Sequence, residues 1–177
     1  MIETDSFHIN FLIDENAKSL FEMMLSNQDN FKRYFPVTLS KNKSVEDSFN
    51  FIQEKNKQNL EKSEFTFGII DNKTSNVSGL IIIKKINWET KQGEFAYCIS
   101  SKLENKGWMS KAITLISKYG FEKLDFENAQ KTKEKIALLN NYQSKSAIVS
   151  SKINNVDVFS ICSEKNFAFV NYLKITS

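Results

Sequence analysis

Arginine is nearly missing from this chain of 177 residues: Arg33 stands alone among 24 basic side chains. Recognition of phosphates and bases favours the planar Arg fork over the point charge of Lys. The net charge is only +3, and the short basic runs are interleaved with Glu, so no nucleic-acid partner is expected. Proline occurs once and glycine five times, too few for a loop-rich or low-complexity protein. The two cysteines, Cys98 and Cys162, sit in apolar strand-like runs and read as reduced core thiols rather than a disulfide framework. His8 is the only histidine. It reads as a structural or surface residue, and no ligand spacing for a metal exists. No apolar run nears the roughly 20 residues that span a bilayer, so no membrane partner is expected. The opening Met1-Ile2-Glu3-Thr4-Asp5 is acidic and has no apolar core. No signal peptide is therefore expected, and the expected location is cytoplasmic.

What is present suits one globular domain over 1–177. Hydrophobic residues make up 41% and charged ones 25%, ordinary values for a chain able to bury one core. Phe7–Ile13 reads as a strand. A helix follows Asp14 and Glu15, with Ala17, Leu20, Phe21, Met24 and Leu25 on one face. Pro36 is expected to end what precedes it. Ser44 with Asp47 fits a capping box, opening a helix that runs to about Glu61 with Phe49 and Ile52 starting its apolar face. Strands over Glu64–Ile70 and Val77–Ile86 flank a polar hairpin loop. The run Leu80-Ile81-Ile82-Ile83 points to burial on both faces. After Glu94–Ile99 and a helix over Met109–Leu124, the pattern gives a strand at Lys135–Leu139, a helix at Ser144–Ile153, and strands at Val156–Cys162 and Phe167–Ile175. The order implies a mixed α/β domain around a central twisted sheet.

The densest information lies between Gly93 and Leu124. Phe95, Tyr97 and Ile99 alternate with smaller residues at strand period. A polar turn, Ser100 to Gly107, then feeds an amphipathic helix. A strand that runs through such a turn into a helix N-terminus presents unpaired amides and about half a positive charge to an anion. Lys102 and Lys106 add formal charge beside it.

These residues resemble the acyl-CoA-binding motif of GNAT acetyltransferases, in the ribosomal-protein-alanine (RimJ/RimL-type) branch. The matching pieces are Glu94-Phe95-Ala96-Tyr97-Cys98-Ile99, Asn105-Lys106-Gly107-Trp108-Met109-Ser110-Lys111-Ala112 and Tyr119-Gly120-Phe121-Glu122-Lys123-Leu124. The resemblance implies the acyl-CoA N-acyltransferase fold, a mostly antiparallel sheet with a splayed parallel strand pair flanked by helices. It implies acetyl-CoA as cosubstrate, with no metal. It also implies direct transfer to a primary amine, on a protein N-terminus or a small molecule, in a ternary complex. A homodimer is compatible with it. The splayed pair would be Glu94–Ile99 and Lys135–Leu139. The pantetheine arm would pair with backbone at Tyr97, Cys98, Ile99 and Ser100, and the pyrophosphate would rest on Lys102, Asn105, Lys106, Gly107, Trp108, Met109 and Ser110. Two departures stand out in this loop: Lys102 where the family has Arg or Gln, and Asn105 where it has Gly. Asn tolerates left-handed dihedrals, so the loop stays workable.

By the same resemblance, Asn141 would bond the cofactor arm and Ser144 would protonate the leaving thiolate. Ser144 equally suits a plain helix N-cap. Where the family continues with a pattern such as Glu-Lys-x-Gly-Phe, this chain has Ser151-Lys152-Ile153-Asn154-Asn155, so the Gly-Phe is lost. Glu94 is the candidate base, provided burial lifts its basicity; a solvated strand-start Glu is the alternative. Trp88, Phe31, Tyr34 and Phe35 suit either an acceptor pocket or helix packing. The departures keep a second function in play, a catalytically silent acyl-CoA-binding or scaffold domain.

Overall fold

The computed structural model describes residues 1–89, 92–124, 146–153 and 156–163. Strands β1 (Ile2–Glu3), β2 (Phe7–Phe11), β3 (Phe65–Asp71), β4 (Val77–Asn87) and β5 (Gln92–Ile99) form one sheet in the order β1-β2-β3-β4-β5, each pair antiparallel. Helices α1 (Ala17–Ser26), α2 (Gln28–Phe31), α3 (Pro36–Ser40) and α4 (Val45–Leu60) come between β2 and β3, and α5 (Trp108–Lys123) follows β5.

Strand β4 shows why the sheet is covered on both sides. Leu80, Ile81 and Ile83 are 0% exposed and Ile82 is 5% exposed. Successive side chains point to opposite faces. Ile81 and Ile83 enter a core with Phe7, Ile9, Phe67, Phe95 and Tyr97, sealed by Ala112, Ile113 and Ile116 of α5. Leu80 and Ile82 enter a second core with Leu20, Met24, Phe31, Phe51, Ile52, Ala96 and Cys98, beneath α1 to α4. The result is three layers, α5 on one face and the four earlier helices on the other.

The capping signal at Ser44 holds. Its Oγ accepts the Asp47 amide at 3.0 Å, a bond of the kind worth about 1 kcal/mol. Other expectations are corrected. Pro36 does not end an element but opens α3 at its first turn, where its missing N–H costs nothing. In α4 the inward residues are Phe51 and Ile52, while Phe49 is 41% exposed. In α1 Met23 takes an inward place and Leu25 faces out.

The largest correction falls at 144–153. The expected helix is strand β6 (Ser146–Ile153), paired antiparallel with β7 (Val156–Ser163) from Ser146 opposite Ser163 to Ile153 opposite Val156. Ile148, Val149 and Ile153 are β-branched, and stiff χ1 rotamers favour a pleated strand over a helix. The pair forms a two-stranded sheet of its own. The expected strands at Lys135–Leu139 and Phe167–Ile175, the second member of the splayed pair among them, lie outside the described residues.

Candidate active site

Strand β5 leads directly into the candidate site. Phe95 and Tyr97 anchor it in one core, Ala96 and Cys98 in the other. β5 is the last strand in the described sheet order. At its end the Ser100 amide donates to the Ser78 carbonyl at 2.8 Å, which carries the β4 pairing one residue further. The chain then turns through a 3-10 turn at Ser101–Leu103.

Two left-handed residues shape the rest of the loop, Asn105 at φ 60° and Gly107 at φ 75°. The expectation that Asn105 can stand in for glycine is thus met in its dihedral. A Cβ at Gly107 would meet nothing within 4 Å, so the dihedral, not crowding, is what calls for glycine. Gly107 is the N-cap of α5 and supplies no capping side chain. Its carbonyl takes the first intrahelical bond, from the Lys111 amide at 3.0 Å. The amides of Trp108, Met109 and Ser110 therefore have no intrahelical acceptor. Lys102, Asn105 and Lys106, in the loop that precedes them, are exposed. Glu104 is the carboxylate within this loop, and partial burial raises its pKa above the ordinary value.

The side chains of Trp108 and Met109 turn inward. Both pack on the core beneath α5, and the Trp108 ring lies 4.9 Å from that of Phe7. What these residues offer a ligand is backbone. Sequence reasoning missed Asn27, which is buried between α1 and α2. Its Oδ1 accepts the Ser101 amide at 2.8 Å, while its Nδ2 donates to the Met23 carbonyl at 2.8 Å. It ties the N-terminal helices to the start of the loop. The contact spans 74 residues of sequence, and no local pattern announces it.

Glu94 lies at the other end of β5, with Oε2 3.0 Å from Lys85 Nζ and its side chain 22% exposed. Lys85 has a left-handed φ of 51°, at the place where the β4–β5 register shifts between Lys84 and Asn87. Such a conformation in a non-glycine residue costs of order 1 kcal/mol or more, and it sits beside the carboxylate. Burial pushes the Cys98 thiol up to about 12. The sulfur stays protonated and enclosed, so it offers no thiolate for an acetyl-cysteine route.

The remaining candidates separate. Phe31 and Phe35 are core. Tyr34 packs at the edge of the same core, with Arg33 5.2 Å from its ring centroid. Trp88 lines a cavity of about 660 Å³ with Phe11, Phe65, Tyr119 and Leu124. That cavity sits at the far end of α5, and at 1.5 Å rise per residue Tyr119 is roughly 16 Å from the loop. His8 bonds Asn72 Oδ1 at 2.8 Å in the β2–β3 region. Asn141 and Ser144 lie outside the described residues, and the helix that Ser144 was to open is a strand. Among the described residues no group of three or more His, Cys, Asp or Glu could hold a metal. No helix among them is long and apolar enough to cross a membrane.

Known proteins resemble the chain in two ways. The ribosomal-protein-S5-alanine acetyltransferase of Vibrio fischeri superposes with a TM-score of 0.63 at 15% identity, over 90% of this chain and 92% of its own. The microcin C7 self-immunity acetyltransferase MccE, solved with acetyl-CoA and AMP, superposes with a TM-score of 0.60 at 17% identity, over 89% and 91%. At such identities the likeness is one of fold. A different likeness is short and strong. UvrABC system protein C of Flavobacterium johnsoniae is 58% identical over 55 residues, which is 31% of this chain and 9% of that protein. The corresponding protein of Christiangramia forsetii is 51% identical over 55 residues. The chain thus spans under a tenth of the length of these relatives, 9%. The model of the acetyltransferase (GNAT) domain matches residues 9–171, a span that runs from within β2 through β5, the loop and α5, and the chain belongs to that family.

Proposed function

We propose that the chain transfers an acetyl group from acetyl-CoA to a primary amine, directly and within a ternary complex. The carrying observation is the loop: left-handed residues at Asn105 and Gly107 lead into a start of α5 that has no side-chain cap, and the exposed Lys102 and Lys106 precede it in the same loop. An anion placed there meets amides, the positive end of the helix and two ammonium groups. The pyrophosphate of CoA is such an anion. The pantetheine arm extends from it along β5 and pairs with backbone, in the manner of an added strand. This brings the thioester toward Glu94.

The acceptor nitrogen then attacks the thioester carbonyl carbon. The N–C bond forms, the C–S bond breaks, and CoA leaves as the thiolate. The amine must lose a proton on the way, and Glu94, directly or through one water, is the group on β5 suited to take it. The acceptor class we propose is a protein N-terminal amine or a small-molecule amine, as in the RimJ/RimL branch. The Glu94–Tyr97 strand signature and the superposition on a ribosomal-protein-alanine acetyltransferase support that branch.

Lys106→Ala tests the loop. It lowers the affinity for CoA by about 1–2 kcal/mol, the scale of a charge-assisted hydrogen bond in partial solvent. Calorimetric titration of both proteins with CoA and with pantetheine reads the effect. Pantetheine has no pyrophosphate, and its binding stays unchanged. Equal losses for the two ligands would move the phosphates off this loop.

A further inference from the structure

We infer that the chain is composite: from about Lys123 onward it is a segment of separate descent, kin to a short part of UvrABC system protein C, and this segment takes no part in the acyl-CoA site. The shared stretch is 54 or 55 residues long at 46–58% identity. The solved acetyltransferases that superpose on the chain share only 12–19%. Two such levels of identity within one chain mark two histories.

The fold shows where the division falls. Every strand from β1 to β5 belongs to one sheet, and β2 to β5 feed the two cores closed by α1, α2, α4 and α5. Among the described residues before Lys123, no stretch of such length stands apart from that unit. Beyond α5, β6 and β7 pair with each other in a separate sheet. Two further departures from the acetyltransferase pattern, besides those at Lys102 and Asn105, fall there as well. A strand replaces the expected helix, and Asn154-Asn155 stands where Gly-Phe was expected. The family match extends to residue 171, but the contiguous strand, loop and helix pieces that match the acyl-CoA motif end at Leu124.

Charge divides at the same point. Through Glu122 the chain has sixteen basic and sixteen acidic side chains, whereas residues 123–177 carry eight Lys against five Asp and Glu. The whole excess of +3 belongs to the final segment. Asn141 and Ser144 fall inside it, so their roles by family resemblance lapse. The acyl-CoA site consists of β5, the loop and α5.

Hydrogen exchange of the full chain, read by mass spectrometry with and without acetyl-CoA, tests the division. With ligand at a hundred times its dissociation constant, opening that requires ligand release slows by about a hundredfold. That slowing is expected in peptides covering 94–112 and not in peptides covering 135–163. Without ligand, in sub-denaturing urea, the two regions are expected to open as separate units with different free energies. Ligand protection of 135–163 equal to that of 94–112 would overturn the inference, as would a single common opening of both regions. If acetyl-CoA protects neither region, the acetyl-transfer reading fails, and the two openings alone decide the composite one.

Discussion

Glu94→Gln lowers kcat by about a hundredfold or more, the scale of losing one positioned general base, and leaves the dissociation constant of acetyl-CoA nearly unchanged. The separation follows from geometry. Binding rests on the loop and the start of α5, whereas Glu94 lies at the opposite end of β5 from that loop. Its carboxylate is held in place by Lys85 at 3.0 Å, and Gln keeps the shape while losing the capacity to take a proton. An unchanged kcat in Glu94→Gln would move the base elsewhere, most simply to a water held by backbone carbonyls.

Gly107→Val weakens CoA binding more than tenfold, beyond the effect of Lys106→Ala. At φ 75° a β-branched side chain is a strong outlier, with a cost of about 1–3 kcal/mol. The chain escapes it by rebuilding the turn, and the amides of Trp108 to Ser110 then no longer converge. Because a Cβ at Gly107 meets no neighbour within 4 Å, the loss comes from the dihedral alone. Gly107→Asn therefore retains most of the affinity, since Asn visits this region readily. Titration with CoA, and with pantetheine as the ligand that feels neither change, separates this from general unfolding. Tight CoA binding by Gly107→Val would show that the start of α5 is not the phosphate site.

The site was legible where it is local. Phe95 and Tyr97 gave strand period, Gly107 and Asn105 the turn, and Ala112, Ile113 and Ile116 the buried stripe of α5; each depends on neighbours within a few residues. The same holds for Ser44 capping α4 and for the double burial of Leu80 to Ile83. What was not legible is tertiary. Asn27 holds the loop from a distant helix junction. The inward turn of the Trp108 and Met109 side chains was not legible either, because α5 must bury that side against Phe7; the reading of their amides is untouched by it. Lys85 acquires its left-handed φ from a register shift that no propensity reports. The error at Ser144–Ile153 has a separate cause. Its β-branched residues favour a strand, and a family pattern carried past α5 outweighed that local preference.

The central claim is that this chain binds acetyl-CoA through the β5–loop–α5 unit. Isothermal titration of the full chain with acetyl-CoA tests it most directly. Saturable one-to-one binding is expected, abolished or severely weakened in Gly107→Val. No heat of binding at millimolar acetyl-CoA, with the chain folded by circular dichroism, would contradict it.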